Sequence, residues 1–248
     1  MVAPPDDDVL WARSVHYSHN GSPGIIGVSV GVRQGEVLAV TGPRGSGKTT
    51  LLHCLSGRLV PREGEVWFNS VPVHTMPALT RERLRRDRFG WIGPEPALLP
   101  ELTVWENAAL PLLVSGASHR TAKRAACAWL DRLDIAGLAR KRPRALDRAA
   151  SQRVALARAL VSEPAVVFAD EPTASLHRSE RALLLRTLTT AARSHEITVV
   201  LATHDDDTAD AADRRFALLD GRPAGAAAGL AGPSGDTPED QAACSLSA

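Results

Sequence analysis

Val37-Leu38-Ala39-Val40-Thr41 runs without a break into Gly42-Pro43-Arg44-Gly45-Ser46-Gly47-Lys48-Thr49, and an apolar helical pattern begins at once with Thr50, Leu51 and Leu52. No other stretch restricts the fold as much. It fits the spacing Gly-x-x-x-x-Gly-Lys-[Ser/Thr] in a strand–loop–helix setting. Glycines let the backbone curl until several N–H groups face one anion, and the helix N-terminus adds the positive end of its dipole. In such a loop Lys48 reaches the outer phosphates of ATP, and the Thr49 hydroxyl ligates Mg²⁺. The loop alone does not separate kinases, GTPases, helicases and transporter ATPases.

Apolar runs bounded by Gly, Pro and Asp predict strands at 37–41, 65–69, 89–92, 166–169, 198–202 and 216–219. Helical patterns fall between them at 48–58, 154–161 and 181–193, the last with Leu184, Leu185, Leu188 and Ala192 at helical spacing. Strands alternating with helices predict an α/β fold with a mainly parallel sheet covered on both faces. From 94 to 150 only helical patterns occur, the clearest with Ala122, Ala126, Trp129, Leu130 and Leu133 on one stripe. The predicted organisation is a P-loop core from 1–93 and 151–222, an inserted helical subdomain at 94–150, and a disordered tail at 223–248. That tail is rich in Ala, Gly, Pro and Ser. No internal repeat is evident.

Composition excludes more than it proposes. The formal net charge is +1, which gives no reason to expect a nucleic-acid partner. Arginine clusters at 81–88 and 140–144 read as solvated helix faces or loops. Cys54, Cys127 and Cys244 are widely spaced, which fits a reducing compartment better than a disulfide framework. The acidic start lacks the pattern of a signal peptide, and no run reaches the roughly 18–20 apolar residues of a spanning helix.

A second constellation follows the strand at 166–169, which ends in Asp170-Glu171. Charge at the carboxyl end of a buried strand is costly without a task. In a P-loop fold that edge faces the nucleotide, so Asp170 can hold Mg²⁺ and Glu171 can polarise the attacking water. The bland alternative is an acidic helix cap. The strand at 198–202 ends in Thr203-His204, placing a histidine where it can hydrogen-bond a γ-phosphate oxygen.

These residues, in this order, resemble the nucleotide-binding subunits of ABC transporters over about residues 9–222. The resemblance makes 42–49 the Walker A loop, 166–171 with Pro172-Thr173 the Walker B strand, and His204 the switch histidine. It places Tyr17 where an aromatic stacks on adenine; an exposed tyrosine near a turn is the alternative. Leu98-Leu99-Pro100-Glu101-Leu102-Thr103-Val104-Trp105-Glu106-Asn107 looks most like the lipoprotein-release, macrolide-export and peptide-resistance branch. The family implies an N-terminal antiparallel β portion, integral-membrane permease partners, a dimer with itself or a second ATP-binding subunit, and a cytoplasmic position on the inner face of the membrane.

Three positions depart from that pattern. Pro94 stands where the family's Q-loop glutamine belongs, with Glu95 one residue on. Leu146-Asp147-Arg148-Ala149-Ala150 replaces the signature Leu-Ser-Gly-Gly-Gln, and His177 replaces the aspartate that closes the D-loop. Groups that bind ATP within the subunit look intact, whereas groups offered across a dimer look degenerate. Two functional readings follow: an energising ATPase subunit of an exporter-type complex, and a nucleotide-binding regulatory module with little or no hydrolysis.

Overall fold

The computed structural model describes residues 8–19 and 22–224. Two sheets organise them. β1 (Asp8–His19), β2 (Ser22–Arg33), β4 (Glu63–Phe68) and β5 (Val71–Pro72) form an antiparallel sheet in the order β2-β1-β4-β5. β3 (Val37–Thr41), β6 (Phe89–Ile92), β7 (Val166–Asp170), β8 (Thr198–Thr203), β9 (Arg214–Leu219) and β10 (Arg222–Pro223) form the second, ordered β10-β9-β3-β8-β7-β6. All its pairings are parallel except β9 with β10.

The central strands β7 and β8 are buried throughout and read as continuous apolar runs because both sheet faces are covered. Alternation then sorts their side chains. Val166, Phe168, Val200 and Ala202 face a core shared with the antiparallel sheet and with α1 (Lys48–Leu55). Val167, Ala169, Val199 and Leu201 face a second core, built with α3 (Val104–Val114), α4 (His119–Arg132), α5 (Arg148–Leu160) and α6 (Arg178–Ser194). Cys54 lies on the inner side of α1, where burial pushes its thiol up to about 12. No disulfide forms among the described residues.

The six predicted strands all form, with ends shifted by a residue or two, and the parallel sheet, antiparallel portion and helical stretch are present. Two details differ from the sequence reading, the start of α5 and the place of Pro223, while the arginine clusters lie on a helix face and in a loop as read. α5 starts at Arg148, six residues before the predicted 154, so it crosses the boundary drawn at residue 150. The arginine cluster at 81–88 lies in α2 (Ala78–Arg88), which buries none of its residues, yet Arg81 and Arg85 both donate to the Gly57 carbonyl, at 3.2 and 3.0 Å. The cluster at 140–144 is a loop with one short 3₁₀ turn. Pro223, assigned to the tail, belongs to β10. The rest of that tail, 225–248, and the start, 1–7, lie outside the described residues.

β6 approaches α5 closely. A Cβ at Gly90 would sit 2.5 Å from the Ala159 carbonyl oxygen, so backbone would have to move. Gly90→Ala is expected to cost about 1–3 kcal/mol, read as a Tm lower by several degrees. Gly137→Ala, whose Cβ would meet nothing within 4 Å, leaves Tm unchanged.

Candidate functional site

β3, β8 and β7 are neighbours, and their register puts Thr41 beside Thr203 and Ala202 beside Asp170. Three carboxyl ends therefore open on one edge, and the candidate residues extend from them. Past β3 the loop curls tightly: a Cβ on Gly42 would lie 2.1 Å from the Leu218 carbonyl oxygen, and one on Gly47 2.4 Å from that of Gly24. Both glycines have positive φ, 145° and 97°. α1 starts at Lys48 with no side chain capping it, which leaves its first N–H groups open to an anion.

Lys48 is only 6% exposed. Its ammonium donates to the carbonyls of Gly42 and Pro43 at 2.8 and 2.9 Å and lies 3.7 Å from Glu171 Oε1. Thr49 Oγ1 donates to the Asp170 carboxylate, 2.9 Å from Oδ2 and 3.1 Å from Oδ1, across 121 positions of sequence. Burial pushes the Asp170 carboxyl above its ordinary value; the Thr49 hydrogen bond opposes this, the Glu171 charge adds to it, and Lys48 opposes it. Glu171 adopts φ 47°, an uncommon value for a non-glycine residue, and its N–H donates to Ala202 O at 2.9 Å. That backbone turn aims the carboxylate at His204, whose Nδ1 is 2.8 Å from Oε1. The Ser46 hydroxyl is buried and lacks a partner among the described residues.

A cleft of about 460 Å³ opens above these groups. Arg44, Gly45, Gly47, Lys48, Thr49, Thr50, Glu171 and His204 line it, as do Pro94 and Ala174. Gly42, Pro43 and Ser46 shape the loop from behind, and Asp170 lies beneath Thr49. Among the described residues no cluster of three or more His, Cys, Asp or Glu forms a metal cage. One buried carboxylate touching one hydroxyl is instead the donor set suited to Mg²⁺, which keeps waters and takes its other ligands from phosphates.

With this geometry in hand, comparison with known proteins is decisive, since a model of the ABC transporter family matches residues 25–174. The chain belongs to the ABC transporter family. It is an ATP-binding subunit of the ATPase-cassette type. Lipoprotein-releasing system ATP-binding protein LolD 2 of Rhodopirellula baltica is 34% identical, covering 90% of this chain and 92% of that protein. ABC transporter ATP-binding protein YtrE of Bacillus subtilis is 35% identical, covering 82% and 87%. The solved dimer of the ATP-binding cassette MJ0796, in a post-hydrolysis state with ADP and phosphate, has a TM-score of 0.80 at 28% identity, over 86% of this chain and 96% of that one.

Tyr17 does not line the cleft; His19 does, with its ring edge-on to Tyr17 at 4.8 Å and Nε2 3.3 Å from Thr50 Oγ1. Pro94 lines the cleft and presents only its ring, whereas Glu95 is exposed and outside it. Asp147 caps α5: its carboxylate accepts the Ala150 N–H at 2.7 Å. The exposed His177 precedes α6, its N–H taken by Glu180 at 3.1 Å.

Asp170 supplies a pH test. A carboxyl whose pKa is raised on folding destabilises the folded state as pH climbs from its ordinary value, 3.8, through the raised one. Asp170→Asn is therefore expected to melt above the parent at pH 7 without ligand. The gap should close as pH falls below the ordinary carboxylate range, which thermal melts across pH would show.

Proposed function

We propose that this chain binds and hydrolyses ATP with Mg²⁺ to drive a membrane permease of the export or extraction type, and that the residues named above carry the reaction. The observation that carries the reading is the convergence of Lys48, the Thr49–Asp170 pair and the Glu171–His204 pair on one cleft, from three adjacent strand ends.

Lys48 rests on two loop carbonyls, and triphosphate oxygens are stronger partners for an ammonium than neutral carbonyls are. As the anion enters, Lys48 turns to the β- and γ-phosphates while the open N–H groups of α1 and its loop take the rest of the charge. This releases Glu171 from its 3.7 Å contact with Lys48. The free carboxylate can accept a proton from the attacking water, with His204 holding its position. As an imidazolium, His204 can donate from Nδ1 to Glu171 and from Nε2 to a phosphate oxygen together. Thr49 and Asp170 would hold Mg²⁺, which neutralises charge on the phosphates when bound. His19 takes the adenine, with Tyr17 buttressing its ring.

No helix among the described residues is long and apolar enough to cross a membrane. A peripheral place on the inner face, reached through permease subunits, fits the family. The relatives' printed names, lipoprotein release among them, support the export-or-extraction branch. Asp147 closes the α5 N-terminus with the chain's own carboxylate, which favours pairing with a second ATP-binding subunit whose signature segment is open. The same carboxylate and the side-chain-poor Pro94 favour the second reading, a regulatory module that binds ATP with little turnover.

Glu171→Gln is expected to keep ATP binding and to lower turnover by about 10²–10⁴-fold, with Lys48→Ala losing binding itself. Steady-state hydrolysis beside equilibrium ATP binding decides the matter; a rate indifferent to Glu171→Gln leaves the regulatory module. His19→Ala should weaken ATP binding by about 1–3 kcal/mol, the size of one base–aromatic stack. Tyr17→Phe should be neutral in the same titration.

A further inference from the structure

A second cavity, of about 450 Å³, lies between α4 and α6 and shares no lining residue with the nucleotide cleft. Its α6 residues begin at Leu183 and continue to the end of a 17-residue helix, which is about 25 Å long. The cavity therefore extends away from the strand ends that carry Glu171. Its volume is ordinary for a small-molecule site, about 300–1,000 Å³. Trp129 and Leu183 give it an apolar wall, and Leu183 is left 44% exposed there. Arg132, Arg186 and His195 line the rest, and no carboxylate does so among the described residues. Asp131 and Glu196, the sequence neighbours of two of them, are exposed and outside it.

Charge pairing along α6 sets this lining apart from an ordinary solvated helix face. The helix carries four arginines. Arg178 pairs with Asp207 at 3.4 Å, Arg181 with Asp205 at 3.5 Å and Arg193 with Asp213 at 3.3 Å. Arg186, the one that lines the cavity, has no carboxylate partner among the described residues. Arg132 of α4 has none either; its Cζ lies 4.7 Å from the centre of the Trp129 ring, and the His195 ring flanks the same indole at 5.6 Å. A guanidinium held over a ring by its face keeps its in-plane N–H groups for an anion. The hydroxyls of Thr190 and Ser194 add donors, neither with a protein partner among the described residues. Two permanent positive charges balance a dianion, and an arginine fork fits phosphate oxygens with paired hydrogen bonds. The apolar wall adds a preference for a ligand with a body to bury.

We propose that the cavity between α4 and α6 is a second ligand site, built for a phosphate monoester with a planar apolar body. Arg132 and Arg186 grip the phosphate from the two helices, and Trp129 and Leu183 cover the body. The site stands apart from the nucleotide cleft, and the inference does not rest on what that cleft binds.

The test is calorimetric titration of the full chain with 1-naphthyl phosphate. The parent is expected to bind it, and to bind 1-naphthol, which lacks the charge, and inorganic phosphate, which lacks the body, at least about 10-fold more weakly. Arg132→Gln and Arg186→Gln should each weaken 1-naphthyl phosphate by about 10-fold or more, the size of one lost charged hydrogen bond. Leu183→Glu sets like charge against the phosphate and should abolish binding. All three positions are exposed, so the three variants test the site independently should one of them fail to fold. Lys48→Ala should leave the affinity for this probe unchanged. No binding by the parent, 1-naphthol binding as tightly as its phosphate, or undiminished affinity in the arginine variants overturns the proposal. Affinity lost in Lys48→Ala and kept in the arginine variants places the probe in the nucleotide cleft, and overturns it equally.

Discussion

An ammonium that is 94% withdrawn from solvent must be solvated by protein, and the architecture around Lys48 follows from that requirement. The loop turns two carbonyls inward to receive it, which demands the left-handed glycines flanking it. Those glycines leave space for β2 and β9 to close against the loop, so the two sheets meet where the lysine sits. Neutral carbonyls are adequate partners for a cation but poor ones beside a polyanion. The resting arrangement is thus stable and readily displaced, which suits a site that fills and empties.

Much of this arrangement was legible before any coordinates. Strands buried on both faces must be apolar throughout, so β3, β7 and β8 announced themselves as runs, and the residues that follow them became the candidate site. The antiparallel sheet was harder to read from residues alone. β1 carries register breaks, one of them around Ser14 at φ 46°, and a bulge reverses the alternation on which strand recognition depends. α2 has no apolar stripe because none of its residues is fully buried, Leu84 packing only partly against the core. The first turn of α5 is hidden for a different reason: residues 147–150 occupy the place of a family motif, while their local chemistry, an aspartate that accepts the N–H three residues on, is that of a helix cap.

The aromatic residues beside the cleft are a similar case. Tyr17 holds the family's position, but β1 breaks register between Tyr17 and Ser18, and it is His19 that lines the cleft. The side-chain hydrogen bonds on residues 93–97 had no sequence signal: their donors, Gln152 and Arg158, come from α5, some 60 positions away, and act on carbonyls, which any residue provides.

The missing side chains at Gly42 and Gly47 bear on how such loops are read in general. A methyl group at either would strike main-chain oxygen of a neighbouring strand, whether or not a nucleotide ever binds. The glycine pattern is therefore part of the joint between the two sheets, and a lineage that had abandoned ATP would still be held to it by folding. Glycines in this motif testify to architecture. Testimony about use comes from Lys48, Thr49 and Glu171, whose side chains line the cleft.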